Sequence, residues 1–180
     1  MQKPCIFFDR DGVVNHPPTA ARYVRSWEEF KLIPEFFDVL RIVQERGYEA
    51  VIVTNQKGVS TGTMRREDVD RIHDNLMEML DGHGLDLRDI FVCTAGEDTH
   101  PHRKPNPGML LEAAKKHDLD LNRSWMIGDN EKDVEAGRRA GCRTVLVSGS
   151  IESPYADFRV ADMKELAAFL QDHLEDARAV

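Results

Sequence analysis

Short apolar, β-branched runs alternate with stretches of helical periodicity along the whole chain. "PCIFF", ending at Phe8, is apolar at every position, as a strand of a helix-covered parallel sheet is. "PEFFDVLRIVQERG" opens at Pro34, stops at Gly47 and sets Phe36, Val39, Leu40 and Val43 on one helical face. "EAVIVTN" reads as a second buried strand that ends in polar residues, and "REDVDRIHDNLMEML" repeats the helical spacing through Val69, Ile72, Leu76 and Leu80. "DIFVCTA" is a third strand, followed by a helix over "NPGMLLEAAKKHDL" with Asn106 as its cap and Pro107 in its first turn. "SWMIGD", "KDVEAGRRAG" and "RTVLVSG" give strand, helix and strand, and a short "FRVAD" precedes a last helix from near Met163 to Asp176. This alternation predicts an α/β fold with three layers: a doubly wound, Rossmann-like, mostly parallel sheet with helices on both faces. The chain of 180 residues fits a single domain spanning 1–180.

Composition narrows the partners. At 41% hydrophobic and 31% charged residues the chain is ordinary globular protein. A net charge of -8 argues against duplex nucleic acid or an anionic membrane as the main partner, yet leaves room for a small anionic substrate. Cys5, Cys93 and Cys142 are an odd, scattered set, which points to reduced thiols and a cytoplasmic protein. The N-terminal apolar run ends in charge and does not read as a signal peptide, and no stretch approaches the ~20 apolar residues of a membrane span. With no obvious apolar stripe, a monomer is expected.

In sheets of this kind the ligand sits beyond the carboxyl ends of the strands. Asp9 and Asp11 follow the first strand, Thr54 and Asn55 the second, and Asp129 with Asp133 the fourth; Lys104 lies between the third strand and its helix. Taken singly, most of these have plain readings as turn formers, a helix cap or a solvated lysine. Together they do not. If the first and fourth strands are neighbours, Asp9, Asp11 and Asp129 converge, and three close carboxylates cannot all ionise uncompensated. A hard divalent cation supplies the compensation, and all-oxygen ligation suits Mg²⁺. Lys104 precedes a helix N-terminus, where the dipole disfavours a cation unless an anion is near. A carboxylate nucleophile, a bound cation, a hydroxyl and a lysine describe phosphoryl transfer, in which an aspartyl-phosphate can form.

"FFDRDGVVN", "VIVTNQ", "RKP" and "MIGDNEKDVEAG" resemble, in order, the four motifs of the haloacid dehalogenase (HAD) superfamily. The wording "DRDGVVN", "VTNQ-x-G" and "RKP-x-PGML" is similar to its histidinol-phosphatase and D-glycero-D-manno-heptose 1,7-bisphosphate 7-phosphatase subgroup. "YVRSWEEFKLIPEFFDVL" resembles a further stretch of the heptose enzymes, with Glu35 in place of a glycine. The resemblance implies a Mg²⁺-dependent phosphomonoesterase acting on a small phosphorylated metabolite, a sugar phosphate first and histidinol phosphate second. It implies Asp9 as nucleophile and metal ligand. Asp11 would be the acid and base, with its carbonyl on the metal. Asp129 would be a metal ligand, and Asp133 an acid that orients the metal's waters or Lys104. Thr54, Asn55 and Lys104 would hold the phosphoryl group with Arg103 beside them. The alternative of another class is a non-catalytic phosphate-binding or receiver-like signalling module, whose acceptor aspartate follows a later strand than Asp9 does.

Two departures bear on substrate. Relatives often carry a zinc loop patterned Cys-x-His then Cys-x-Cys; here "CTAGEDTHPHRKP" keeps Cys93, has Ala95 for the histidine, and sets His100 and His102 where the cysteines would stand. A zinc site from Cys93, His100, His102 and Asp98 is conceivable, but a closed site wants four good ligands and a metal-free loop is expected. No insertion is long enough for a cap domain, so the site is expected to be open, flanked by "NHPPTAARYV" and the loop before Arg103. His16, Arg22, Tyr23 and Arg25 lie there, more in keeping with solvated loop residues than with substrate contacts.

Overall fold

The computed structural model of the protein describes residues 2–18 and 23–179. Among them β1 (Cys5–Phe8), β2 (Glu49–Asn55), β3 (Asp89–Cys93), β4 (Trp125–Gly128), β5 (Arg143–Val147) and β6 (Phe158–Val160) form one sheet in the order β3-β2-β1-β4-β5-β6. Every pairing is parallel. Parallel neighbours need crossovers, which α1 (Glu35–Glu45), α2 (Arg66–Gly82), α3 (Gly108–His117) and α4 (Glu131–Ala140) supply; a loop joins β5 to β6, and α5 (Met163–His173) follows. No helix of the described residues is long and apolar enough to cross a membrane.

The strands are mostly apolar, and alternation divides them between two cores. Ile6, Phe8 and Ile52 pack with Phe36, Leu76 and Leu170 of α1, α2 and α5. Cys5, Phe7, Val51 and Val53 pack with Met109, Ala113 and Ala136 of α3 and α4. Each fully buried Phe or Ile side chain contributes roughly 1.5–3 kcal/mol. With both faces loaded in this way, the strands are locked in register. The chain runs outward from β1 to β2 and β3, then returns across β1 to β4. That reversal leaves a crevice beyond the carboxyl ends of β1 and β4.

Two helix starts differ in how they are closed. At α4 the Asn130 side chain accepts the Lys132 N–H at 3.1 Å, while the Asp133 carboxylate accepts the Asn130 N–H at 3.2 Å. Asn106, expected to cap α3, does not: Pro107 occupies the cap position without a side-chain bond. The Asn106 amide instead donates to the carbonyls of Asp98 and His100 at 2.9 and 3.0 Å, and its oxygen accepts from Arg139. Carbonyls in the preceding loop compete for it more effectively than the helix does.

Candidate active site

β1 and β4 are in register at Phe8 and Ile127, so the residues just past their ends meet. The Asp9 N–H donates to the Ile127 carbonyl at 2.9 Å, extending the ladder by one bond. The first turn of α4 adds Asp133. One oxygen each of Asp9, Asp129 and Asp133 lie within 4.8 Å of one another, the only such triplet of His, Cys, Asp or Glu ligand atoms among the described residues. Two glycines permit this crowding. A Cβ on Gly12, whose φ is +97°, would stand 2.0 Å from Asp129 Oδ2, and one on Gly128 would stand 2.2 Å from the Asp133 Cβ.

Lys104 enters from the loop before α3 and is buried. Its Nζ donates to Asp9 Oδ1 at 2.6 Å and to the Val53 carbonyl at 2.8 Å, and pairs with Asp133 Oδ1 at 2.7 Å. The Asn55 amide fixes the lysine's backbone, accepting the Lys104 N–H at 3.1 Å and donating to its carbonyl at 3.0 Å. Burial, then the charge of Asp133, lifts Asp9 up to about 8, and the same two causes lift Asp129 up to about 6. Burial opposes the charge on Lys104, but Asp133 and Asp9 outweigh it and hold its pKa above the usual lysine value. Three carboxylates therefore face one ammonium, an imbalance that a divalent cation removes. An all-oxygen donor set fits Mg²⁺. Both Asp133 oxygens are engaged, by Lys104 and by the Asn130 N–H, which leaves Asp9 and Asp129 better placed to offer an oxygen to a cation.

Asp11 does not join that cluster, contrary to the expected convergence of Asp9, Asp11 and Asp129. The turn through Gly12 swings its carboxylate into a separate network. Arg10 Nη2 forks both oxygens at 3.0 and 3.1 Å, Asn15 Nδ2 donates to Oδ1 at 2.9 Å, and Gln56 Nε2 donates to Oδ2 at 2.9 Å. Burial raises the pKa of Asp11, but Arg10 and these hydrogen bonds prevail and bring it below the ordinary value. Two neighbouring carboxyls are thus pushed in opposite directions: without a cation Asp9 favours its protonated form near neutral pH and Asp11 its ionised form. Any bond from Asp11 to a metal beside Asp9 would come from its backbone carbonyl.

An open cleft of about 280 Å³ exposes this arrangement, lined by Asp9, Asp11, Asn55, Lys104, Asp129, Asn130, Lys132 and Asp133. Thr54 is buried and its hydroxyl accepts from Gln56 Nε2 at 2.9 Å. Arg103 does not line the cleft: its Nε donates to Asp98 at 2.9 Å and its Nη1 to the Ala95 carbonyl at 3.3 Å. The conceivable zinc set is not assembled. Cys93 Sγ lies 3.8 Å from His100 Nδ1, but His102 turns to Glu112 at 3.4 Å and Asp98 is taken by Arg103. Cys93, His100 and His102 border a larger hollow of about 440 Å³ that also meets Lys57 and Glu97. Of the loop candidates, His16, Tyr23 and Arg25 do not line the cleft, Arg25 bonding Glu29, and Arg22 lies outside the described residues.

Sequence reasoning missed Arg10, Asn15, Gln56, His73 and Lys132. His73 carried a signal, since it stands four residues after Val69 and three before Leu76 on the buried face of α2. Arg10 turns toward that helix and is wholly buried.

The HAD-hydrolase-like family matches residues 101–177. The D-glycero-beta-D-manno-heptose-1,7-bisphosphate 7-phosphatase of Helicobacter pylori strain J99 is 32% identical over 92% of this chain and 96% of its own. The D-glycero-D-manno-heptose-1,7-bisphosphate 7-phosphatase of Chlorobaculum tepidum is 36% identical over 79% and 77%. Among solved structures, the D,D-heptose 1,7-bisphosphate phosphatase of B. bronchiseptica, complexed with magnesium and phosphate, superposes with a TM-score of 0.82 at 28% identity, covering 93% of this chain and 97% of that one.

Proposed function

The chain belongs to the HAD-like phosphatases, and from that premise we propose that it hydrolyses a sugar phosphate through an aspartyl-phosphate on Asp9, with heptose 1,7-bisphosphate, the substrate named for its relatives, first in line. The observation that carries this reading is the Asp9 carboxylate, open to the cleft between Asp129 and Lys104. Asp9 Oδ attacks phosphorus, the bond to the leaving oxygen breaks, and Asp11, which its low pKa obliges to take up a proton from solvent before the step, passes that proton to the leaving oxygen. Asp11 then takes a proton from water, which attacks phosphorus and frees Asp9 and inorganic phosphate. Asp9, Asp129 and the Asp11 carbonyl would hold Mg²⁺, with Asp133 orienting Lys104. Bound there, Mg²⁺ supplies the positive charge that keeps Asp9 ionised and offsets the phosphoryl oxygens. Lys104 stays on the attacking carboxylate, while the Thr54 hydroxyl and the remaining amide proton of Asn55 are the neutral donors for phosphoryl oxygens.

Phosphate release is measured with Mg²⁺ over heptose bisphosphate, histidinol phosphate and nucleotides. Turnover is expected with the sugar bisphosphate, and Asp9→Asn is expected to abolish it at unchanged fold. Equal turnover in Asp9→Asn would overturn the mechanism; faster turnover of histidinol phosphate would move the substrate assignment. A receiver-like module would release no phosphate from any ester.

A further inference from the structure

The arginine between the two aspartates is held from both ends. Arg10 is fully buried, its Nη2 is forked on Asp11, and its Nη1 lies 3.1 Å from His73 Nε2 on α2. Among the described residues its Nε has no partner, and Asp11 and His73 are its only hydrogen-bonded anchors; the Phe30 ring sits 6.0 Å from its central carbon. A guanidinium has no lone pair to offer, so the bond to His73 exists only if Nε2 accepts. The imidazole must then be neutral with its proton on Nδ1. Burial and the adjacent Arg10 keep it so, bringing its pKa down to about 3.

We propose that His73 is a positioning residue for the phosphatase reaction: as a neutral acceptor it fixes the Arg10 guanidinium, which in turn fixes the plane of the Asp11 carboxylate toward the leaving oxygen. The inference rests on Asp11 serving as the acid and base. Without the acceptor, Arg10 keeps a buried, unpaired Nη1 and a single anchor, and its fork loosens. Loss of alignment at a proton donor weakens proton transfer more than substrate binding.

The test compares His73→Gln, whose amide oxygen reaches the position of Nε2, with His73→Asn, which is one methylene short. Both are assayed with Mg²⁺ beside wild type and Asp9→Asn, below their melting temperatures. In His73→Asn, kcat and kcat/KM for a sugar phosphate should fall together by about tenfold or more, within the range that proton transfer contributes. His73→Gln should stay within about threefold of wild type, as the restored acceptor requires. The kcat/KM defect should shrink with p-nitrophenyl phosphate, whose leaving group departs without a proton. Equal activity in Asn and Gln variants, or a defect independent of leaving group, would overturn the proposal. Wild-type turnover lost in Asp9→Asn keeps the reading of the site standing in that case, so the two failures are separable. Nitrogen-15 spectra of the wild-type imidazole need no variant to fold: a proton on Nδ1 and none on Nε2 near pH 7 supports the proposal, and the reverse tautomer or an imidazolium sinks it.

Discussion

His73 shows how a single side chain sets a pH limit. Its pKa is about 3 in the fold against an ordinary 6.5, so the folded state binds fewer protons than the unfolded state below pH 6.5. Its contribution is therefore intact above that value and is lost progressively as pH falls toward 3. At pH 5 the loss is ~2 kcal/mol for this group. Asp9 and Asp129, with raised pKa values, shift stability the other way over part of this window. The comparison is therefore wild type against His73→Gln in urea at each pH, with wild type losing stability faster from pH 7 to 5. A parallel pair of curves would show that His73 is not the neutral partner described. The meeting of Asp9 and Asp129 was readable from sequence because strand ends and carboxylate crowding are local facts, whereas the turning away of Asp11 depends on partners that only the fold supplies. The acceptor of Arg10 was not, because Arg10 and His73 are 63 residues apart and meet only when α2 packs on the sheet.

At the scale of elements, alternation and helical spacing located the strands and helices because each buries a periodic apolar face. Where competing hydrogen bonds decide, as at Asn106, the sequence did not reveal the outcome. Gly137 in α4 is a sharper case. In an exposed helix, Gly→Ala gains roughly 1 kcal/mol. Here a Cβ would sit 2.5 Å from the Met126 Cβ and 2.9 Å from Thr144 Cγ2, so α4 would have to move off β4 and β5. Overpacking of this kind costs about 1–3 kcal/mol. Gly137→Ala should lower the melting temperature by several degrees, at about 2–4 °C per kcal/mol for a chain of this size. Asp133 rides on the same helix, so activity should fall as well. A variant that melts higher than wild type would refute the close packing.

For the whole molecule, the proposed binding of Mg²⁺ at the carboxyl cluster would make stability answer to the cation. A ligand that binds only the folded state at 100 times its Kd adds about 2.7 kcal/mol. Mg²⁺ should therefore raise the melting temperature by about 5–10 °C, since each kcal/mol is worth about 2–4 °C. EDTA should reverse the rise, and Asp129→Asn should remove most of it. The pH dependence follows from the raised values. Metal-free Asp9 and Asp129 hold protons up to about 8 and about 6, so the folded state binds more protons than the unfolded state above the ordinary 3.8. Stability of the metal-free protein from these groups is full below 3.8 and is lost as pH rises through those values. Protons and cation compete for the same oxygens. The rise on adding Mg²⁺ is accordingly larger at pH 8 than at pH 5.5, while the His73 effect is confined to the acid side and appears with or without metal. Thermal melts at both pH values, with Mg²⁺ and with EDTA, separate the two. A shift that is the same at both pH values, or that survives in Asp129→Asn, would place the cation elsewhere than between Asp9 and Asp129.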